Sequence, residues 1–598
     1  MRRFPQCAIF FAFSFCISTT SSFAGTEITV RGDTGKKLHL YMETAEVYGW
    51  SGQVLIEREG QIILHAAYGY ADRQNHRPMT LDTPIGIASI SKPLTAVAIL
   101  RLVEMGLLAL DDPIHRYLPQ LAQSELGNRT IHQLLTHSAG IPGGDIAGTD
   151  FEPDSKQMLL ERIGTAEISL AGESWRYANG GYNLLALIAE QAAEHEWAQI
   201  IESQVLKPAM MTSSGLWSHL PGGVAPAHAY RAWVDQGSPR NWPRNWRVLG
   251  AGDLVSTVGD LYQFERALVE GTLISAELLS KARSPLMALR HPESGYGYGW
   301  FVDGNEDVLR FEHGGDWLGG YNGLYVVNPS DKLLVIVLSN SSDASGMWMR
   351  QAVQKSLIDI ANGQEVEMPP LAAHRLETVE LEGRFIADDG TAIELFNDGA
   401  ITWLAAANQS AVAYFGNYDP TEVAGLENAR RRTERLYSAL LANGVSAYVA
   451  ALGEDGAPAL SDYQSEWQAL TEKYGRLLSY DLIGVTRRGG SAEHHVLLEF
   501  ETAAISMSGV WAEGGNGRLH GIVVRDRQGT PWPFPVAIPV GIARDGQLVA
   551  WDLFRDYGIA MIPEENGTLR LRRLADGESI ALQRSWLPLE SGPEKRTR

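Results

Sequence analysis

The chain has 598 residues, 45% of them hydrophobic and 20% charged, a balance that supports two or more packed domains and argues against long disordered stretches. Asp and Glu total 71 against 50 Lys and Arg, a formal net charge of −21. No general positive field exists to attract nucleic acid or an anionic lipid surface, so neither is an expected partner.

The first elements in chain order are a charged start and an apolar run. Arg2 and Arg3 precede an uncharged apolar stretch from position 7 to 17, shorter than the roughly 20 residues that span a bilayer. Ser22, Phe23 and Ala24 then set small residues at the positions read by signal peptidase. This pattern predicts a cleavable signal peptide over residues 1–24 and a mature chain from Gly25. It implies a periplasmic or secreted protein with no membrane span. Phe15 before Cys16 does not fit a lipoprotein signal, which needs a small residue there. Cys7 and Cys16 are the two cysteines, so the mature chain would lack disulfides, thiolate metal sites and a cysteine nucleophile.

Further along, residues 53–56 and 61–64 read as strands around a Glu59-Gly60 turn. From Ser91 the pattern becomes helical, with Ala96, Ile99, Leu100, Val103 and Leu107 at three- and four-residue spacing. Residues 131–136, 182–193 and 260–269 continue as helices. Strands return at 324–327 and 333–338, joined by Asn328, Pro329, Ser330 and Asp331. One antiparallel sheet is therefore expected from both ends of the segment, with a helical insertion between, which is an α+β pattern. Pro369-Pro370 marks a linker over 366–378. The part before it, residues 25–365, is expected to fold alone. Residues 379–598 read as a β-rich α+β region, with helices at 422–443 and 463–478.

The chain carries neither a phosphate-binding loop nor a dinucleotide fingerprint. His494 and His495 are adjacent, so their side chains point apart, and surface packing is their expected role. Ser89-Ile90-Ser91-Lys92-Pro93 is different. Residues i and i+3 on a helix stand about 5–6 Å apart, which lets a lysine amine reach a serine hydroxyl. A lysine partly desolvated at a helix start could take the serine proton near neutral pH. Unpaired backbone N–H groups at the same place would stabilise an oxyanion. Pro93 fixes the helix start. By itself the tetrad also reads as a Ser N-cap beside a solvated lysine.

The segment from Thr83 to Ala96, TPIGIASISKPLTA, resembles the nucleophile region of the penicillin-recognising serine hydrolases: class C β-lactamases, DD-carboxypeptidases, D-aminopeptidases and related esterases. Tyr177-Ala178-Asn179 and His313-Gly314-Gly315 resemble the family's second and third motifs, in the expected order. Shorter echoes occur at residues 134–142 and 251–257, and the resemblance covers about residues 40–345. It implies a β-lactamase/transpeptidase-like domain over 25–365 that acts without a metal or other cofactor. It also implies Ser89 as nucleophile, Lys92 and Tyr177 as proton carriers, and Asn179 as an orienting group. His313, Gly314 and Gly315 would bind substrate, and the backbone N–H groups of Ser89 and Asp316 would form the oxyanion site. His137 is expected to hold its own loop through a side-chain-to-backbone bond. His313 stands where β-lactamases carry a fixed cation, and a histidine grips a carboxylate only when protonated, below about pH 6.5.

Leu381-Glu382-Gly383-Arg384-Phe385 resembles the opening of the barrel that D-aminopeptidases append. Residues 420–525 loosely resemble a cone-shaped α+β module of the nuclear-transport-factor-2-like type, and the strands ending at Arg584 would complete the barrel. Trp532 and Phe534 are expected at a core or domain interface. The resulting expectation is an exported serine hydrolase that forms an acyl-enzyme on small peptide, amide or ester substrates, D-amino-acid peptidase-like. A carboxylesterase or weak β-lactamase on the same scaffold, and a non-catalytic muropeptide-binding relative, are the alternatives.

Overall fold

The structure is a computed structural model. It describes residues 28–585 apart from 143–155, 167, 170–174, 221–224, 243–247, 290–293, 305–308, 318–319, 343–348, 371, 376–380, 417, 453–466, 469, 489, 513–518, 525–533, 554–556 and 565–567. The predicted signal peptide and Trp532 lie outside the described residues.

Helix α1 (Gly32–Val47) leads into the hairpin β1 (Gly52–Arg58) and β2 (Gln61–Tyr68). Glu59 and Gly60 both have positive φ, 51° and 76°, the geometry a two-residue turn needs to match strand twist. Two helices, α2 (Ser91–Glu104) and α3 (Asn179–Ala193), belong to the helical insertion, and α4 (Val258–Val269) follows them. The chain then returns to the sheet as β3 (Arg310–Asp316), β4 (Asn322–Asn328) and β5 (Leu333–Ser339), before α5 (Met349–Ala361). Strand β5 pairs with β1, Val335 opposite Ile56, and this joins both ends of the segment in one sheet of nine described strands.

Strand β5 is apolar at six of its seven positions and buried throughout, as expected where both faces are covered. Alternate residues serve different cores. Leu55, Ile336 and Leu338 pack with Leu94 and Leu100 of α2 and with Leu261 and Phe264 of α4. Val54, Ile56, Val335 and Val337 pack with Leu38 and Met42 of α1 and with Leu357 of α5.

The second core is shared with the C-terminal half, because Ala543, Val549, Trp551 and Leu553 complete it. The expected linker at 366–378 is also not free chain. Its residues form β6 (Ala372–Arg375), which pairs with a strand near position 542. Backbone groups of β6 pair with the sheet next door, a constraint that two prolines just upstream conceal.

Beyond it come β7 (Gly383–Ala387), β8 (Ala392–Asn397) and β9 (Thr402–Ala406). Helices α6 (Gln409–Gly416) and α7 (Pro420–Asn443) follow. Strands β10 (Leu477–Arg488), β11 (Ser491–Phe500), β12 (Ala504–Trp511) and β13 (Leu519–Val524) form a four-stranded sheet. The chain ends with β14 (Ala537–Ala543), β15 (Leu548–Asp552), β16 (Tyr557–Pro563), β17 (Thr568–Arg573) and β18 (Ser579–Arg584). The order β14-β9-β8-β7-β18-β17-β16-β15 closes through a β15–β14 pairing. Eight described strands thus make a barrel, filled by Phe385, Leu404, Val540, Ile559, Met561 and Leu571, which leaves those strands no open edge.

The module between β9 and β14 packs α7 on the four-stranded sheet around Tyr437, Val496, Met507 and Trp511. An Asp419–Glu422 capping box with Pro420 at the first turn fixes where α7 starts. His494 and His495 lie here on β11 and do point apart, but neither is on the surface. His494 is fully buried against Tyr437 and Trp511, and His495 Nε2 lies 2.9 Å from Thr486 Oγ1. Burial lowers the His494 pKa to about 3, so it is a neutral core residue.

Candidate active site

The short strand Ile85–Gly86 pairs with Leu254–Ser256 and delivers the chain to a single tight turn, Ala88–Ile90, at the head of α2. Ala88 has φ of 46°, a strained value for a residue with a Cβ. The turn leaves Ser89 partly exposed while Ile87, Ala88, Ile90 and Ser91 are buried. Strand β3 passes close by. A Cβ on Gly315 would lie 2.1 Å from the Ile87 carbonyl oxygen, so only glycine allows that approach. Asp316, the next residue, ends the strand on the exposed side.

Lys92 is fully buried. Its Nζ lies 3.0 Å from Ser89 Oγ and donates to Asn179 Oδ1 at 2.8 Å and to the Ala251 carbonyl at 3.0 Å. The Tyr177 ring centroid lies 4.7 Å from Nζ and that of Tyr182 lies 5.7 Å away. Residues distant in sequence thus meet at one amine: the head of α2, the head of α3 and the loop at 251.

Tyr177 precedes α3 and stacks on Phe301. His313, on β3, lies 6.1 Å from Tyr177 and 5.3 Å from Phe301 between ring centroids. It was expected to face the substrate, but it is only 1% exposed. Its Nδ1 lies 2.7 Å from the Gly314 carbonyl and its Nε2 lies 3.3 Å from Tyr296 Oη. A carbonyl only accepts, so Nδ1 carries the hydrogen. Gly314 adjoins it on the strand, half-buried.

His137 does not bond within its own loop as the sequence suggested. Its Nδ1 accepts the Ala178 N–H at 3.2 Å, between Tyr177 and Asn179. Burial, with Lys92 and His313 nearby, holds its pKa well below the ordinary histidine value. The sequence reading also passed over Trp175, Tyr296, Phe301 and the Ala251 carbonyl. The alternation Gly295-Tyr296-Gly297-Tyr298-Gly299-Trp300 is the signal that could have flagged Tyr296. Trp175 and Phe301 carry no local pattern, and Ala251 opens the echo at residues 251–257. No group of three or more potential metal ligands occurs among the described residues.

A serine bonded to a buried lysine at a helix head, in an antiparallel sheet with a helical insertion, defines the class as a serine hydrolase of the β-lactamase and transpeptidase type. Residues 46–355, over half of the chain, match the Beta-lactamase family, and the chain belongs to that family. It is 30% identical over 308 residues to the "Putative penicillin-binding protein PbpX" of Bacillus subtilis (strain 168), across 52% of this chain and 74% of that protein. With "Esterase EstB" of Burkholderia gladioli it shares 34% identity over 188 residues, 28% of this chain and 47% of the esterase. The solved octameric penicillin-binding protein homologue from Pyrococcus abyssi aligns at 25% identity and a TM-score of 0.48, over 63% of this chain and 89% of that one.

Proposed function

We propose that the protein is an exported hydrolase that forms an acyl-enzyme at Ser89 on peptide, amide or ester substrates. The observation that carries this reading is the position of Lys92 Nζ, within hydrogen-bond distance of Ser89 Oγ, Asn179 Oδ1 and the Ala251 carbonyl. Two of them, Asn179 Oδ1 and the Ala251 carbonyl, can only accept from it. A neutral amine has two N–H groups and one lone pair, so satisfying those two acceptors aims the lone pair at the Ser89 hydroxyl. Lys92 is thereby poised to take the Ser89 proton as Oγ attacks a carbonyl carbon. The Ser89 and Asp316 N–H groups would hold the oxyanion. Tyr177, beside Lys92, would pass the proton to the leaving group, and water would then release the acyl group. The β3 backbone at Gly314, with no side chain to block it, would let a substrate lie along the strand.

Buried His313 favours uncharged amides and esters over anionic β-lactams, and the likeness to an esterase agrees with that preference. Export rests on the predicted signal peptide at 1–24. A fluorophosphonate label followed by intact and peptide mass spectrometry tests the reading. One adduct on Ser89, abolished by Ser89→Ala and strongly slowed by Lys92→Ala, is the expected result. An adduct that survives Ser89→Ala places the nucleophile elsewhere and ends the proposal.

A further inference from the structure

We propose that His137 is a positioning residue for acylation, which clamps the backbone on both sides of Tyr177 and so fixes Tyr177 and Asn179 against Lys92. The proposal rests on the assignment of Ser89 and Lys92 above.

Two hydrogen bonds make the clamp. The Arg176 N–H donates to the His137 carbonyl at 3.0 Å, and the Ala178 N–H donates to His137 Nδ1 at 3.2 Å. Between them the Tyr177 ring lies 4.5 Å from the imidazole, centroid to centroid. Ala178 is the N-cap of α3, and its backbone N–H, which no helix carbonyl can accept, is taken by a group 41 residues away. Asn179 follows immediately and presents Oδ1 to Lys92.

His137 has left-handed backbone, φ 58°, a conformation that histidine and asparagine adopt more readily than most residues. With Nδ1 accepting, the ring hydrogen must sit on Nε2. That atom is buried and has no hydrogen-bond partner among the described residues. An unmet buried donor is unfavourable, and a leucine or phenylalanine would fill the space without one. What the imidazole offers over those residues is the acceptor at Nδ1.

His137→Asn keeps the left-handed preference and places an acceptor oxygen near the same point, whereas His137→Ala removes it. Both are compared with wild type for fluorophosphonate labelling rate and for kcat and KM on a short-chain nitrophenyl ester. Loss of positioning should lower kcat in His137→Ala by about 100-fold with KM within about threefold, and asparagine should recover most of that loss. Equal losses in the two variants, or His137→Ala within about threefold of wild type, would overturn the proposal. Should both variants fail to fold, selective 15N-histidine labelling of the wild type decides. A resonance for His137 with an acceptor-type Nδ1 supports the clamp, and a proton on Nδ1 overturns it. Wild type that labels away from Ser89 would instead sink the underlying assignment, and the site of labelling separates the two failures.

Discussion

Arg73 Nη1 lies 3.1 Å from Asp398 Oδ2, with side chains only 2% and 7% exposed, and this pair ties the hydrolase domain to the barrel. The same Nη1 donates to the Ala232 carbonyl at 2.7 Å, and Asp398 Oδ2 also accepts from Trp403 Nε1 at 3.0 Å. The guanidinium stacks 4.2 Å from the Tyr230 ring centroid. Residues 230–235 form a small hairpin whose Trp233 inserts among Phe396, Trp403 and Phe534. On its other side the hairpin packs against residues 320 and 321, beside the short strand that leads into the nucleophile turn. A Cβ on Gly320 would lie 2.5 Å from the Tyr230 carbonyl, and the nearby Tyr321 ring leaves no room for a side chain at Gly86.

Asp398→Ala should therefore destabilise the whole protein, because it strands a buried guanidinium. Removing one partner of a buried ion pair costs about 3–5 kcal/mol. Chemical denaturation of Asp398→Ala, Arg73→Ala and the double variant measures it. A loss under about 1 kcal/mol, the range of exposed pairs, would show that the bridge contributes little.

Truncation near Glu365 is the companion test. Sequence alone suggested that this portion folds independently, since all three motifs precede it. Removing the rest takes Ala543, Val549, Trp551 and Leu553 out of a core that contains Tyr48 and Trp50, and bares Ala232 and Val234. The shortened chain should aggregate or melt well below the full-length protein, as seen by size-exclusion chromatography and circular dichroism. A monodisperse product with an unchanged melting temperature would show that the shared core matters little.

What the sequence disclosed and concealed follows the range of each interaction. The Ser89–Lys92 spacing is local, so it was legible, as were the Glu59-Gly60 hairpin and the apolar run of β5. The barrel strands were legible as strands through their turns and short apolar runs. Hidden features needed partners far along the chain. Trp233 meets residues more than 160 positions away, β6 pairs with strand residues near 542, and His137 bonds to Ala178 instead of within its loop. The burial of His494 and His313 was equally invisible, because histidine is found on covered and open strand faces alike.

Gly315→Ala should nearly abolish acylation. The added methyl would sit 2.1 Å from the Ile87 carbonyl, and either β3 or the nucleophile turn must move. Displacements of about 1 Å at such a site reduce rates on the order of 100-fold. The labelling rate at Ser89 is the measurement, and a wild-type rate in the variant would mean that the two backbones separate freely.

A pH-dependent stability change should arise at His228. Its Nδ1 lies 2.9 Å from Asp235 Oδ2 and its Nε2 lies 3.6 Å from Asp72 Oδ2. The hydrogen bond to Asp235, then the charges of Asp235 and Asp72, raise its pKa against the opposing effects of burial and Arg77. A raised folded-state pKa stabilises the protein fully below the unfolded value of about 6.5, and the stabilisation is lost as pH rises through the folded value. Melting temperature should fall over that interval, and His228→Gln should flatten the fall. Parallel profiles for wild type and variant would assign the dependence to other groups.

The last prediction concerns β-lactams and rests on His313. Its Nδ1–H is committed to the Gly314 carbonyl, and its Nε2 faces Tyr296 Oη. Burial raises the Tyr296 pKa well above the ordinary value, so that residue remains a phenol. Protonating His313 would add a hydrogen on Nε2 that points at Tyr296 and not into the cleft. Acidification therefore should not create a carboxylate grip, contrary to what a solvent-facing histidine would give. Turnover of an anionic cephalosporin should be weak at pH 7.5 and should not climb toward pH 6, while a short-chain ester should turn over well. His313→Lys introduces a longer side chain with a permanent charge. A charge-assisted bond to a substrate carboxylate is worth about 1.5–3 kcal/mol, so the cephalosporin-to-ester ratio of kcat/KM should rise at least tenfold or so. Measuring both substrates on both proteins between about pH 5.5 and 8.5 decides it. Cephalosporin hydrolysis by the wild type that increases steadily as pH falls would show that His313 reaches the substrate after all. An unchanged ratio in the lysine variant would show that charge at this position does not set the preference.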